Sequence, residues 1–382
     1  MKREFYVLRN DLKIYVKEFI EAGGDEKKPA IIFSHGFGGN HQAMEYYCKQ
    51  FAALGYATYC YDFCGGSVGD TGKSDGDSLA MSISTECDDL CAVLEEVQSY
   101  SYVDATRITL CGESQGGFVS SLVAAYHKEE VASLMLIYPA FCIPDDARLY
   151  RLGGATYSKE NVPKVIECPN GMRISTPYHE SVVDMDPYQV IREFKGPVLL
   201  LQGKCDSVVN YSYGIKAKES YAKGQCQLCM LEETDHYFPP AMQENAFIMM
   251  ENFLRGKREL LTIQVFVTGA ETVEDTKERY EGNVFFTGYC DNERFRGCIV
   301  PEGVDNQVRE GDGPVKLHAD YTLVGLDAEG ENCSIHIVNQ MIGDRYKPVV
   351  KTDSEALSFL QEADLTAVLT GFTGGLTVRI WG

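Results

Sequence analysis

The stretch ITLCGESQGGFV, at residues 108–119, is the sequence feature that most constrains the fold of this chain. It holds the pattern G-x-S-x-G around Ser114, after a short apolar run that favours a strand and before apolar residues at helical spacing. A strand that passes directly into a helix through such a turn raises the serine hydroxyl above the edge of a sheet. The stretch therefore predicts a strand–turn–helix unit with Ser114 as the candidate nucleophile.

The same pattern occurs twice more, around Ser67 and around Ser74. Both serines lie in the glycine-rich stretch DFCGGSVGDTGKSDGDS, which has no apolar run between Phe63 and Leu79. This composition is typical of a loop. We therefore predict that neither Ser67 nor Ser74 is a nucleophile.

The organisation of the chain changes once, near residue 258. Before that point strands alternate with helices, which predicts a largely parallel sheet covered on both faces. After it the sequence shows short alternating strands and one helix-like stretch, SEALSFLQEA, which predicts an all-β barrel or sandwich. We expect an α/β domain over 1–258, with an irregular insert at about 141–188, and a small β domain over 259–382.

The charge of the chain argues against two classes of partner. The net charge is −21, and residues 259–382 alone hold 10 Lys and Arg against 21 Asp and Glu. Nucleic acids and anionic membranes both require a basic surface. We therefore expect neither as a partner.

The fourteen cysteines do not indicate a disulfide framework. The first ten residues, MKREFYVLRN, contain no apolar segment typical of a signal peptide, and no stretch is long and apolar enough to span a membrane. These features predict a cytoplasmic protein with reduced cysteines. Cys226 and Cys229 form the only C-x-x-C, without a second pair, so we predict no metal site.

Hydrolysis of an ester by a serine requires a base that accepts the hydroxyl proton, and an acid that orients this base. On a sheet of this type the order along the chain is serine, acid, histidine. His236, in EETDHYF, is the one histidine that follows the last strand of the α/β region, and Asp206 ends the stretch VLLLQGKCDSVV. Each alone could be an ordinary loop residue, but their order after Ser114 favours a catalytic triad.

The oxyanion of the reaction requires hydrogen-bond donors. The strand in FSHGFGG breaks at His35-Gly36, which leaves backbone N–H groups without a strand partner. We expect Phe37 to donate one N–H and Gln115, directly after the nucleophile, to donate the other. A plain glycine turn would have a similar sequence.

Five motifs in this order, HGFGG, DFCGGSVGDTGKSDG, GESQGG, GKCDSVV and ETDHYF, resemble those of the bacterial cinnamoyl/feruloyl esterases of the α/β-hydrolase superfamily. The resemblance covers about residues 1–255. It implies the triad and the oxyanion hole described above, and it implies that the insert is a lid that shapes the acyl pocket. Two features depart from the family: Glu113 stands where a histidine is frequent, and the insert is divergent.

The resemblance implies a carboxylic ester hydrolase that acts on small aromatic esters of the hydroxycinnamate type and requires no cofactor. We expect five substrate-binding residues, although the three tyrosines among them could equally be lid packing: His35, Gly36, Tyr150, Tyr157 and Tyr178. A short-chain carboxylesterase or a serine peptidase is the alternative, because the triad chemistry is shared. A binding protein without activity is disfavoured by the full set of catalytic groups.

The C-terminal region resembles an uncharacterised bacterial family of small β barrels through RGCIVPEGVDNQ, LHADYTL and LTVRIW. That family implies no activity. We expect a packing or dimerisation role, so that the protein is a candidate homodimer, and a ligand-binding role is the alternative.

Overall fold

The computed structural model describes residues 2–23 and 26–382. The chain divides into two compact units, Met1–Tyr237 and Phe238–Gly382. The helix Pro240–Leu254 thus groups with the second unit, whereas the sequence placed the change of character near residue 258. The boundary near residue 258 between two independently folding domains stays a prediction.

The first unit is built on an eight-stranded sheet with the order β1-β2-β4-β3-β5-β6-β11-β12. The first three strands in this order pair antiparallel and all others pair parallel. The strands of this sheet are β1 (Lys2–Arg9), β2 (Leu12–Phe19), β3 (Lys28–Ser34), β4 (Ala57–Tyr61), β5 (Val103–Glu113), β6 (Ser133–Ile137), β11 (Val198–Gly203) and β12 (Cys226–Leu231). The predicted, largely parallel sheet is confirmed.

The central strands read as continuous apolar runs because both faces of the sheet are covered. Every residue of β4, β6 and β11 is buried. The helices of this unit are α1 (Glu45–Ala53), α2 (Ile83–Ser99), α3 (Ser114–Tyr126), α4 (Ile143–Arg148), α5 (Thr176–Val182), α6 (Pro187–Ile191) and α7 (Ser212–Ser220). Because parallel strands end at one edge, the turns after β3, β5 and β11 bring their side chains together there.

The predicted irregular insert follows β6. It contains α4, α5 and the start of α6, together with two short hairpins. The hairpin strands are β7 (Arg151–Leu152), β8 (Ala155–Thr156), β9 (Val165–Glu167) and β10 (Arg173–Ser175). Leu152, Ile166 and Ile174 are buried and join the core of the unit, so the insert is packed onto the α/β sheet.

The second unit begins with α8 (Pro240–Leu254) and continues as a closed antiparallel barrel. Pairing of β13 with both β14 and β21 closes the ring, and β15 and β16 share one position between β14 and β17. The strands are β13 (Glu259–Asp275), β14 (Arg279–Asp291), β15 (Phe295–Ile299), β16 (Gly303–Glu310), β17 (Lys316–Asp327), β18 (Asn332–Ile342), β19 (Arg345–Thr352), β20 (Thr366–Phe372) and β21 (Gly375–Trp381). The predicted β-barrel domain is confirmed.

The helix-like stretch predicted in this unit forms only a 3₁₀ turn, Ser358–Gln361. Leu357 and Leu360 lie three residues apart and are both buried, which suits the three-residue period of this turn. Within the described residues, no helix combines the length and the apolar character that crossing a membrane requires. The cytoplasmic location and the homodimer stay predictions.

Candidate active site

Ser114 lies at the junction that the sequence predicted: β5 ends at Glu113 and α3 begins at Ser114. Its φ is +49°, a left-handed conformation that non-glycine residues rarely adopt. A Cβ atom on Gly112 would lie 2.3 Å from the carbonyl oxygen of Gly116, and a Cβ on Gly116 would lie 2.3 Å from that of His35. Both flanking glycines are therefore required by close backbone packing around a strained serine.

The other two serines of the repeated pattern lie in the loop after β4. The Ser74 hydroxyl donates to the Asp62 carbonyl at 2.6 Å and accepts from the Tyr15 N–H at 2.8 Å. Ser67 forms a backbone bridge with Gly38. Neither serine stands between a strand and a helix, as predicted.

The structure brings the three predicted triad residues together. His236 Nε2 lies 3.0 Å from Ser114 Oγ, and His236 Nδ1 lies 2.9 Å from Asp206 Oδ2. The His236 side chain is 2 % exposed and that of Asp206 is 0 % exposed. The serine is 122 residues from the histidine in sequence, so the fold assembles this arrangement. Its geometry allows the imidazole to accept the serine proton while the carboxylate holds the other ring nitrogen.

The Asp206 carboxylate is held by three further donors. Its Oδ1 accepts from the N–H groups of Val208 and Val209 at 2.9 and 2.7 Å, and its Oδ2 accepts from Gln202 Nε2 at 2.9 Å. Asp235, which precedes His236 in the chain, instead accepts from the N–H of His236 at 2.7 Å. The carboxylate of Asp206 is therefore the one that orients the imidazole.

The two candidate oxyanion donors come from different segments. Gln115 is the second residue of α3, and the N–H groups of the first helical turn have no carbonyl partner within the helix. Phe37 lies in the turn after β3, which is closed by a hydrogen bond from the Gly39 N–H to the Gly36 carbonyl at 3.0 Å. Their use as an oxyanion hole stays a prediction.

His35 and Gly36, predicted to bind substrate, build the turn that carries Phe37. The His35 ring is 1 % exposed, and its Nε2 accepts from the Phe63 N–H at 3.2 Å. The Nδ1–H therefore donates to the Gly36 carbonyl at 2.8 Å. Burial lowers the pKa of His35. Both ring nitrogens are thus bound to the backbone, which favours a structural role for this residue.

A carboxyl group that no sequence pattern identified as functional lies beside Ser114 in the chain. Glu113 accepts from the Tyr138 hydroxyl at 2.8 Å and from the Gly36 N–H at 3.4 Å. Tyr138 lies at the end of β6 with a φ of +38°, and its ring packs on that of His236 with centroids 4.5 Å apart. Burial raises the pKa of Glu113. Glu113 is thus linked to His236 through Tyr138.

Two of the three tyrosines predicted to bind substrate form a cluster around a histidine of α5. The Tyr157 hydroxyl lies 2.8 Å from His179 Nδ1, and the Tyr150 ring stacks on that imidazole at 5.8 Å. His179 is 6 % exposed. These contacts lie within the insert itself.

Tyr178 makes a different contact. It is 2 % exposed, and its hydroxyl donates to Gln115 Oε1 at 2.5 Å. The other end of this amide, Gln115 Nε2, donates to Glu86 Oε2 at 2.7 Å. Burial raises the pKa of Glu86 to about 8. The insert is thereby hydrogen-bonded to Gln115, the residue after Ser114.

No group of three or more His, Cys, Asp or Glu side chains within residues 2–23 and 26–382 is arranged to hold a metal ion. Cys226 and Cys229, the C-x-x-C pair, are both buried in β12.

One known protein family matches part of the chain. Residues 25–165 match the family described as serine aminopeptidase, S33. That range includes Ser114 and Phe37 but ends before Asp206 and His236. Among curated proteins, no sequence matches the chain.

Solved structures resemble about two thirds of the chain. Est1E of Butyrivibrio proteoclasticus with bound ferulic acid is 23 % identical, with a TM-score of 0.60 over 66 % of this chain and 98 % of its own. Mouse α/β hydrolase domain-containing protein 10 is 18 % identical, with a TM-score of 0.52 over 66 % and 99 %. The esterase domain of a Rhodothermus marinus protein is 18 % identical, with a TM-score of 0.50 over 67 % and 98 %. The α/β unit therefore has the α/β-hydrolase fold.

Proposed function

We propose that this protein is a serine carboxylic ester hydrolase. The observation that carries the proposal is the continuous chain of hydrogen bonds from Ser114 Oγ through His236 to Asp206, at 3.0 and 2.9 Å, on a strained strand-to-helix turn. A serine at such a turn is pre-positioned for attack, and a paired imidazole removes its proton.

The reaction would proceed in two steps. Ser114 Oγ attacks the ester carbonyl carbon while His236 Nε2 takes the hydroxyl proton, and the oxyanion accepts hydrogen bonds from Phe37 N–H and Gln115 N–H. The attack produces a tetrahedral intermediate. When it collapses, the bond between the carbonyl carbon and the alcohol oxygen breaks, and the imidazolium of His236 protonates the departing alcohol. The acyl group stays on Ser114. Water, deprotonated by His236, then releases the acid and regenerates the serine.

We infer that the substrates are esters of hydroxycinnamic acids. The motifs around the site are similar to those of cinnamoyl and feruloyl esterases, and Est1E, a structural neighbour, holds ferulic acid. The insert also supplies aromatic rings, Tyr150 and Tyr157, that could pack against a planar acyl group. A cluster of this kind favours an aromatic over an aliphatic acyl chain.

A serine peptidase is the second candidate, because the matching family is described as an aminopeptidase. A general short-chain carboxylesterase uses the same groups. These candidates share the triad and differ only in the pocket.

A three-substrate panel separates them: methyl ferulate, p-nitrophenyl acetate and an aminoacyl naphthylamide, each with wild type and Ser114→Ala. We expect the highest kcat/KM on methyl ferulate. Preference for p-nitrophenyl acetate would support the short-chain esterase, and cleavage of the naphthylamide alone would support the peptidase. Ser67→Ala and Ser74→Ala serve as matched controls that keep most of the activity.

A further inference from the structure

Tyr178, in helix α5 of the insert, is hydrogen-bonded to Gln115, the residue after Ser114. Its hydroxyl hydrogen bond to Gln115 spans 63 residues of sequence and links α5 to the first turn of α3. Gln115 is 2 % exposed and its amide is bound at both ends, by Tyr178 on one side and by Glu86 of α2 on the other. The side chain of Gln115 is therefore clamped between the insert and the core.

Tyr178 also contacts the second candidate oxyanion donor. Its ring meets the ring of Phe37 edge to face, with centroids 6.3 Å apart and planes at 67°. Gly153, a second residue of the insert, packs so closely that a Cβ there would lie 2.8 Å from Phe37 Cε1. The insert thus touches both residues whose N–H groups would face the oxyanion.

We propose that Tyr178 is a positioning residue that aligns both oxyanion donors, acting through the Gln115 amide and the Phe37 ring. This inference rests on the proposed ester hydrolysis. Oxyanion donors are effective only when they lie about 2.7–3.1 Å from the developing charge, so small rotations of either backbone reduce the rate. The role differs from the substrate-binding role expected from the sequence, because a buried hydroxyl bound to Gln115 is directed at the protein rather than at a ligand.

The test is Tyr178→Phe, which removes one oxygen atom and keeps the ring on Phe37. We expect kcat on p-nitrophenyl acetate to fall about 10-fold with KM changed less than about twofold, because the hydrogen bond aligns a group used mainly in the transition state. The inhibition constant of a boronic acid that mimics the tetrahedral intermediate should rise by a similar factor.

Tyr188→Phe is the matched control. Tyr188 is a buried tyrosine at the end of the same insert, and its hydroxyl has no hydrogen-bond partner among the described residues. Loss of that oxygen should leave kcat and boronate inhibition within about twofold of wild type. If removing any buried hydroxyl from the insert had a general effect, the kcat of both variants would fall alike.

A double-mutant cycle with Gln115→Met tests the route of the effect. Methionine keeps the backbone N–H and the length of the side chain but loses both hydrogen bonds, so it should lower kcat at least as much as Tyr178→Phe. The double variant should be no slower than Gln115→Met alone. If Tyr178→Phe does not fold, the kcat of Gln115→Met tests the proposal in its place.

Two outcomes would overturn the proposal. One is a folded Tyr178→Phe enzyme with wild-type kcat and wild-type boronate affinity. The other is a raised KM with unchanged kcat, which would mean that Tyr178 binds the substrate directly. Failure of ester hydrolysis itself is distinguishable, because the wild-type enzyme would then be inactive on every ester of the panel.

Discussion

Glu86 allows a quantitative test of the buried network below the active site. It lies on the buried stripe of α2, is 1 % exposed, and accepts the hydrogen bond of Gln115. Burial, aided by the nearby charge of Asp89, raises its pKa from 4.5 to about 8. Glu86→Gln removes the ionisable group and keeps an oxygen that can accept from Gln115.

The sign of the effect follows from proton binding. Between its unfolded and folded pKa values, Glu86 binds more protons in the folded state, so its contribution to stability falls as pH rises from about 4.5 to about 8. A shift of this size corresponds to about 5 kcal/mol above pH 8, at roughly 1.4 kcal/mol for each pKa unit. Glutamine does not incur this loss. We expect Glu86→Gln to match wild type at pH 5 and to unfold on the order of 10 °C higher at pH 8.5.

Calorimetry at several pH values measures the difference in unfolding temperature between Glu86→Gln and wild type. Trp381, the single tryptophan, is buried in the second unit, so its fluorescence reports a region that this substitution does not alter. Glu95→Gln, at an exposed position of the same helix, is the matched control and should show no pH-dependent gain. An equal difference between Glu86→Gln and wild type at pH 5 and pH 8.5 would refute the reasoning.

Three further outcomes are expected. Asp206→Asn should lower kcat by roughly 10³–10⁴, because the imidazole loses the carboxylate that holds its tautomer; stopped assays on purified, folded enzyme measure this, and a loss below tenfold would contradict it. His236→Ala should lower ester turnover by a similar factor, because it removes the base that accepts the serine proton; a rate near that of wild type would mean that another group is the base. A chain that ends at Lys257 should fold and cleave a small soluble ester, because all candidate catalytic groups precede that residue; a soluble, folded but inactive product would mean that the tail completes the site.

The parts of the site that the sequence predicted are those encoded in short local patterns. A buried apolar run followed at once by a polar or glycine-rich turn marks the ends of β3, β5 and β11, and the candidate donors, nucleophile and acid all lie there. His236 follows β12 in the same way. Because parallel strands end at one edge of a sheet, local patterns suffice to predict that these residues meet.

The supporting contacts were not predictable in this way, because they join residues with no common local pattern. Tyr178 and Gln115 are 63 residues apart, and their pairing depends on how the insert folds onto the core. Glu86 did carry a signal: it lies at the spacing of the buried residues of α2, where a carboxyl is unexpected. No sequence signal indicated the role of Tyr138, because its contact with His236 arises from a backbone turn with a φ of +38°.

Covalent labelling of the nucleophile tests the central claim most directly. The full-length enzyme is treated with a fluorophosphonate, digested, and analysed by mass spectrometry alongside Ser114→Ala. Three hydrogen-bonded groups at 3.0 and 2.9 Å should activate one serine among all those in the chain. We predict a single phosphonylated site at Ser114, loss of ester turnover in proportion to labelling, and no labelling of Ser114→Ala. Labelling at another serine, or ester turnover in Ser114→Ala close to that of wild type, would contradict the account.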